Sequence, residues 1–347
     1  MIRGDCGEEA NLLSVVIIGK NEASRIVKCI QSVKTAVASV PDCEIVYIDS
    51  VSDDCTGELA FSQGIKTYRI ANALTQSPAA GRYIGSQVTH GRYILFVDGD
   101  SIIANGWIQP ALRLMQSNSD NVMFSGQLNT APGYAGDTFL QDVRDIGEIQ
   151  LAGYIGGGKA PIIERAALEI SGNWNPFVRS REEEDLAIRM QIKNPKARIL
   201  QSDQITAWSP VYSLTIREFV RRWKRGFHKG PGQIFRNAIT QGYWRRCIHI
   251  MQSAILAMSF VVGLFVSFLF HVTWQFVLFF FVIALLRAIL KRKLIRVVTV
   301  YYSLFTGISS LWEFFTVPVR TGDNYIYDIE EISSARTTNC NEQAEKG

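Results

Sequence analysis

Gly91-Arg92-Tyr93-Ile94-Leu95-Phe96-Val97-Asp98-Gly99-Asp100 decides the fold of this chain. Arg92 to Val97 is a short run of aromatic and β-branched residues, the composition of a buried strand, and it ends at Asp98. Gly99 supplies a turn, so Asp98 and Asp100 can converge although they stand on alternate positions. Two converging carboxylates are hard oxygen ligands. They suit Mn²⁺ or Mg²⁺, with water and a diphosphate filling the remaining positions. Alone the pair is a weak sign, because any turn can carry two aspartates.

Upstream, Leu12 to Ile18 reads as a first buried strand. Asn21 to Ala38 carries Ile26, Val27, Ile30, Val33 and Val37 at helical spacing. Glu44 to Ile48 is a second strand ending at Asp49. Thr56 to Gln63 is a helix stopped by Gly64, Ile65 to Ile70 a third strand, and Ser77 to Thr89 a helix. The strand before Asp98 is therefore the fourth. Strands alternating with helices over short connections predict an α/β fold with a parallel sheet. Such sheets bind ligands beyond the carboxyl ends of their strands. Asn21, Asp49 and Asp98 fall at or just past those ends.

Downstream, Asn105 to Pro210 is a mixed region. It holds a glycine-rich turn (Gly153 to Lys159), a short helix (Arg165 to Ile170) and a helix with an acidic first turn (Glu182 to Gln191). The acidic turn suits the positive end of the helix dipole. Gly156-Gly157-Gly158-Lys159 lacks the GxxxxGK[ST] spacing of a phosphate loop, and no GxGxxG follows the first strand, which speaks against a dinucleotide fold. His90 and His228 have no clustered partners and read as structural or surface residues.

The chain has 347 residues, 47% of them hydrophobic and 20% charged, with a net charge of +4. Ile248 to Phe270 is uncharged and long enough to span a bilayer, and 274–290 follows after a short turn with only Arg287 inside. Val297 to Val317 is a weaker third candidate. Basic residues precede the first run (Arg217, Arg221, Arg222, Lys224, Arg225) and follow the second (Arg287, Lys291, Arg292, Lys293). That placement predicts a membrane surface as partner and no nucleic acid. The expected organisation is a domain over 1–235, with an interfacial basic segment at 214–235, membrane-associated helices over 236–320 and a polar tail over 321–347. The expected location is the inner (cytoplasmic) membrane, multi-pass, with the N-terminal domain in the cytoplasm. The six cysteines include no CxxC pair. Reduced thiols are the expectation for a domain facing the cytosol.

Four segments together resemble the family 2 glycosyltransferases of the membrane-anchored bacterial type. They are Leu13 to Ala23, Ile45 to Thr56, Ala80-Gly81-Arg82-Tyr83-Ile84-Gly85 with the opening stretch Gly91 to Asp100, and Glu182-Glu183-Glu184-Asp185-Leu186-Ala187-Ile188-Arg189. The resemblance covers about residues 12–235. It implies the GT-A fold, Rossmann-like with a mostly parallel sheet, here followed by a C-terminal α-helical membrane region. It also implies a nucleotide-sugar donor, a UDP- or GDP-sugar. Asn21, Glu22, Asp49, Arg82, Asp98 and Asp100 then form the donor site: Asp49 at the nucleobase edge, Asp98 at the ribose or a metal-bound water, and Asp100 on the divalent cation. Glu183 is the implied general base of an inverting displacement. Ser50, Cys55 and Glu183 depart from the residues usual in the family. Helical register leaves open which of Glu182 to Asp185 faces the site.

Arg222 and Trp223 stand where processive members carry QxxRW, with Phe219 at the glutamine position. They are acceptor or diphosphate candidates, together with Asp185. An interfacial amphipathic helix explains the same residues. The expected acceptor is the hydroxyl or phosphate of a membrane-linked partner, a polyprenyl-linked or cell-envelope glycan. The alternatives are a processive polysaccharide synthase subunit and an inactive membrane-bound scaffold. A haloacid-dehalogenase-type phosphatase also uses DxD, but on its first strand.

Overall fold

The computed structural model describes residues 12–131, 151–152, 159–210, 216–290 and 295–333. The chain forms two compact units. The first comprises 1–177, 186–211 and 321–347; the second comprises 178–185 and 212–320.

The first unit is built on a ten-stranded sheet. Its strands are β1 (Leu13–Gly19), β2 (Cys43–Asp49), β3 (Lys66–Ala73), β4 (Tyr93–Asp98), β5 (Ile102–Ile103), β6 (Asn121–Ala131), β7 (Leu151–Ala152), β8 (Lys159–Glu164), β9 (Arg198–Pro210) and β10 (Tyr327–Glu331). The order is β10-β3-β2-β1-β4-β8-β6-β9-β5, with β7 on β9. The expected parallel core is present, because β3, β2, β1 and β4 run parallel. The sheet as a whole is mixed. β8 is antiparallel to β4 and β6, β5 and β7 are antiparallel to β9, and β10 is antiparallel to β3.

Period-two alternation sends successive side chains to opposite faces. Val15, Ile17, Leu95 and Val97 join one core, against α1 (Ile26–Val37) and α4 (Ile108–Gln116). Val16, Ile18, Ile94 and Phe96 join the other. That second core takes in α3 (Pro78–Gln87), α5 (Arg165–Ile170) and the later turns of α6 (Glu182–Lys193). Of the residues expected on the buried stripe of α1, Ile26, Ile30, Val33 and Val37 are buried. Ser77 caps α3, its Oγ accepting from the Ala80 N–H at 3.0 Å. α2 (Thr56–Ser62) ends before Gly64, whose φ of +68° only glycine adopts without strain.

The start of the segment read as a polar tail instead supplies β10, which covers the open edge of β3. Ile332 then packs where a Cβ on Gly57 would lie, 2.6 Å from its Cδ1.

The second unit is helical: α7 (Ile216–Lys224), α8 (Gly230–Thr240), α9 (Trp244–Cys247), α10 (Gln252–Leu269), α11 (Thr273–Leu290) and α12 (Ile295–Thr316). Among the described residues no helix is long and apolar enough to cross a membrane. This corrects the expectation of a multi-pass protein in the inner membrane. The uncharged run at 248–270 is not one helix, since Ile248–Met251 forms a 3-10 turn and α10 has 18 residues. At a rise of 1.5 Å per residue that is about 27 Å, at the short end of what a hydrocarbon core of about 30 Å requires. α12 carries Glu313, buried and paired with Lys229 at 2.6 Å. It also packs closely on α10, because a Cβ on Gly307 would meet the Ser253 carbonyl oxygen at 2.0 Å.

Candidate active site

The parallel register aligns the candidate residues. Gly19 is the register partner of Asp49, and Ile18 that of Asp98. The carboxyl end of β1 is thus flanked by one aspartate on each neighbouring strand. Beyond β4 the Gly99 N–H donates to the Ile18 carbonyl at 2.7 Å. A Cβ on Gly99 would lie 3.1 Å from that oxygen, which accounts for glycine between the two aspartates.

Asp98 and Asp100 are both half-buried. Arg82, buried on α3, donates from a terminal guanidinium nitrogen to Asp98 Oδ1 at 2.8 Å. Ser101 Oγ lies 3.4 Å from Asp100 Oδ1. Both carboxylates are hard oxygen donors of the kind a divalent cation takes, and one Asp98 oxygen is held by Arg82. Among the described residues no group of three His, Cys, Asp or Glu side chains could hold a metal. A cation on the aspartate pair would therefore take its remaining oxygens from water or a bound ligand. Cys29 lies beneath this loop, its Sγ 3.6 Å from the Asp98 carbonyl. Burial first, then the charges of Asp100 and Asp98, push its thiol far above the ordinary range, so it stays protonated.

Two loops close the other side of β1. The Asn21 N–H donates to Ser52 Oγ at 2.9 Å, the Glu22 N–H to Thr56 Oγ1 at 2.8 Å, and the Asp53 N–H to Asn21 Oδ1 at 2.8 Å. Asn21 and Val51 adopt positive φ there, 58° and 60°. Asp49 has no exposed surface. It accepts from Ser52 Oγ, from the Ser52 N–H at 3.2 Å and from Arg69 Nε at 2.9 Å. Arg69 also reaches Glu58 at 3.1 Å. Burial alone lowers the Arg69 pKa; the hydrogen bond from Arg69 to Asp49 and the charges of Asp49 and Glu58 outweigh it and raise the pKa. Asp49 thus stands at the expected strand end, but its carboxylate is committed to protein partners. Cys55, at the start of α2, is disulfide-bonded, which corrects the expectation of reduced cysteines throughout.

The acidic turn of α6 belongs to the helical unit up to Asp185. It is not a solvated face: Glu182, Glu183 and Asp185 are buried, while Glu184 pairs with Arg181 at 2.9 Å. Asp185 and Glu184 act on Cys247, whose thiol is pushed up to about 12 by burial first and then by their charges. Trp223, one of the acceptor or diphosphate candidates, stacks on His228 at 5.6 Å and 19° and touches Phe305 within the unit. Arg222 is exposed on the same helix.

Asn21, Glu22, Asp49, Arg82, Asp98 and Asp100 therefore gather at one end of the sheet unit. Glu183, Asp185, Arg222 and Trp223 belong to the helical unit. Sequence reasoning missed Arg69, which pairs with Asp49, and Glu58, which pairs with Arg69. A charged residue at alternate spacing inside a strand, Thr67-Tyr68-Arg69-Ile70, was the available signal for Arg69. The glycine-rich turn at 153–158 lies outside the described residues.

Residues 14–134 match glycosyl transferase family 2. The chain is 26% identical over 123 residues to glycosyltransferase GlyG of Streptococcus pneumoniae, a match covering 35% of this chain and 40% of that one. It is 31% identical over 114 residues to an uncharacterized glycosyltransferase of Rickettsia felis, covering 33% of this chain and 18% of that one. The chain thus spans less than half the length of these relatives. The mannosyltransferase PcManGT from Pyrobaculum calidifontis, solved with GDP-Man and Mn²⁺, superposes with a TM-score of 0.56. It is 13% identical, with 90% of this chain and 91% of that one covered, a likeness of fold. The architecture is a GT-A-like mixed sheet with a C-terminal helical region.

Proposed function

We propose that this chain, which carries family 2 glycosyltransferase sequence over residues 14–134, transfers a sugar from a nucleoside-diphosphate donor to an acceptor hydroxyl. The observation that carries the reading is the pairing of half-buried Asp98 and Asp100 at the end of β4, with buried Arg82 on Asp98. Asp100, with Asp98, is the pair that would hold Mn²⁺ or Mg²⁺, and the cation would neutralise the charge of the departing diphosphate. Arg82 adds a fixed cation beside Asp98. The loops at Asn21 to Glu22 and Asp49 to Thr56 line the nucleoside side.

Glu183 is our choice of base. Its role is to take the proton of the acceptor hydroxyl as that oxygen bonds to the anomeric carbon. The bond from that carbon to the diphosphate oxygen breaks, and the configuration inverts. For the acceptor we favour a glycan on an apolar carrier, such as a polyprenyl-linked sugar. Exposed Phe265, Phe268, Phe270 and Trp274 of the helical unit support that choice.

The test is purified protein with Mn²⁺ and a panel of UDP- and GDP-sugars. Donor cleavage that needs the cation, and one added sugar on a lipid-linked acceptor, are expected. No cleavage of any donor would sink the reading, and a ladder of products would sink the single-addition acceptor.

A further inference from the structure

We infer that Trp174 is a positioning residue for the donor site, acting through Arg82; this rests on the donor reading of Asp98 and Asp100. The guanidinium of Arg82 lies over the Trp174 ring, 5.2 Å from its centroid, while it donates to Asp98 Oδ1 at 2.8 Å. Phe96, two residues before Asp98 on the same strand face, meets the same ring edge-on at 5.1 Å and 80°. One indole therefore touches both arms of the Arg82–Asp98 pair: the guanidinium from α3 and the strand that carries the aspartate.

The loop that delivers the ring is built for it. Gly172 and Asn173 both take positive φ, 79° and 59°. Asn173 Oδ1 accepts from the Trp174 N–H at 2.7 Å, and its Nδ2 donates to Ser86 Oγ at 2.8 Å. Ser86 stands one helical turn after Arg82 on α3, so the loop is fastened to the helix that carries the arginine. Arg189 holds the Asn173 carbonyl at 2.7 Å from below. The indole itself is fully buried, and its N–H finds no partner among the described residues. A core position filled only for volume would take Phe or Leu without that loss. An indole is the strongest aromatic partner for a guanidinium, which gives a reason for Trp.

Arg82 needs such support. Its side chain is 5% exposed, against 34% for Asp98. A buried guanidinium free to choose rotamers could bridge Asp98 and a diphosphate in several ways. Held over the indole and on Asp98 at once, it keeps one orientation.

The experiment titrates Mn²⁺ in the presence of UDP and, separately, GDP, reading free Mn²⁺ by its electron paramagnetic resonance signal. The proteins are wild type, Trp174→Leu, Trp174→Phe, Arg82→Met and the Trp174→Leu/Arg82→Met double variant. Thermal melts fix the folded fraction of each. Trp174→Leu should weaken Mn²⁺–nucleotide binding about tenfold per folded molecule, the scale of one desolvated cation–π contact. Trp174→Phe should lose less, and the double variant little more than Arg82→Met alone. Trp174→Leu binding as tightly as wild type, or losses that simply add in the double variant, would overturn the inference while leaving the donor reading intact. If Trp174→Leu does not fold, Trp174→Phe decides: wild-type affinity in that variant overturns the inference. A wild-type protein that binds Mn²⁺ with neither nucleotide defeats the donor reading, and this inference with it.

Discussion

Arg69 Nε donates to Asp49 Oδ2 at 2.9 Å, and the carboxylate it meets has no exposed surface. The same guanidinium holds Glu58. Removing the cation leaves two acids with their compensation gone. Arg69→Met should therefore destabilise the sheet unit by about 3 kcal/mol, the cost of breaking a buried ion pair on one side. Urea unfolding of the variant checks this. A loss inside the scatter of surface substitutions would mean that the pair contributes nothing.

Glu44 predicts a pH dependence at the opposite end of the sheet. Burial pushes its pKa up, but donation from the His90 N–H at 2.6 Å, from Ser14 Oγ at 2.7 Å and from the Gly91 N–H outweighs this and lowers it. A folded pKa below the unfolded one means more protons on the unfolded chain in the acid range. The contribution to stability is then complete above the unfolded pKa of about 4.3 and is lost as pH falls through the folded value. Glu44→Gln should flatten the acid limb of stability against pH. Denaturant midpoints measured for both proteins from pH 6 to about 3 test it, and parallel curves would contradict it.

The base assignment makes a kinetic prediction. Glu183→Gln should lower kcat by about 100- to 10,000-fold with the donor KM little changed, as expected for a lost general base. Glu182→Gln and Asp185→Asn are the controls, since both side chains are also buried in that turn. A collapse of kcat confined to one of the controls would move the base to that residue.

Much of this was legible in the sequence. The unbroken apolar runs Val15 to Ile18 and Ile94 to Val97 marked strands buried on both faces, because that pattern is local. Asp98-Gly99-Asp100 was legible for the same reason. β6 and β9 were not, since Ser125-Gly126-Gln127 and Ser202-Asp203-Gln204 interrupt their apolar runs, and these strands hold together by pairing across the sheet. Trp174 and Arg69 owe their partners to residues 92 and 20 positions away or less, brought near only by folding. The apolar runs misled the topology, because hydropathy reads through the 3-10 turn at Ile248–Met251 that the folded chain introduces.

Asp100 carries the central claim. Calorimetric titration of UDP- and GDP-sugars into the protein, with and without Mn²⁺, compares wild type with Asp100→Asn. The account predicts Mn²⁺-dependent donor binding by wild type, weakened on the order of 100-fold or more by the substitution, the scale seen when one electrostatic contact to a reacting centre is removed. Equal donor affinity in the two proteins, or binding indifferent to Mn²⁺, would contradict it.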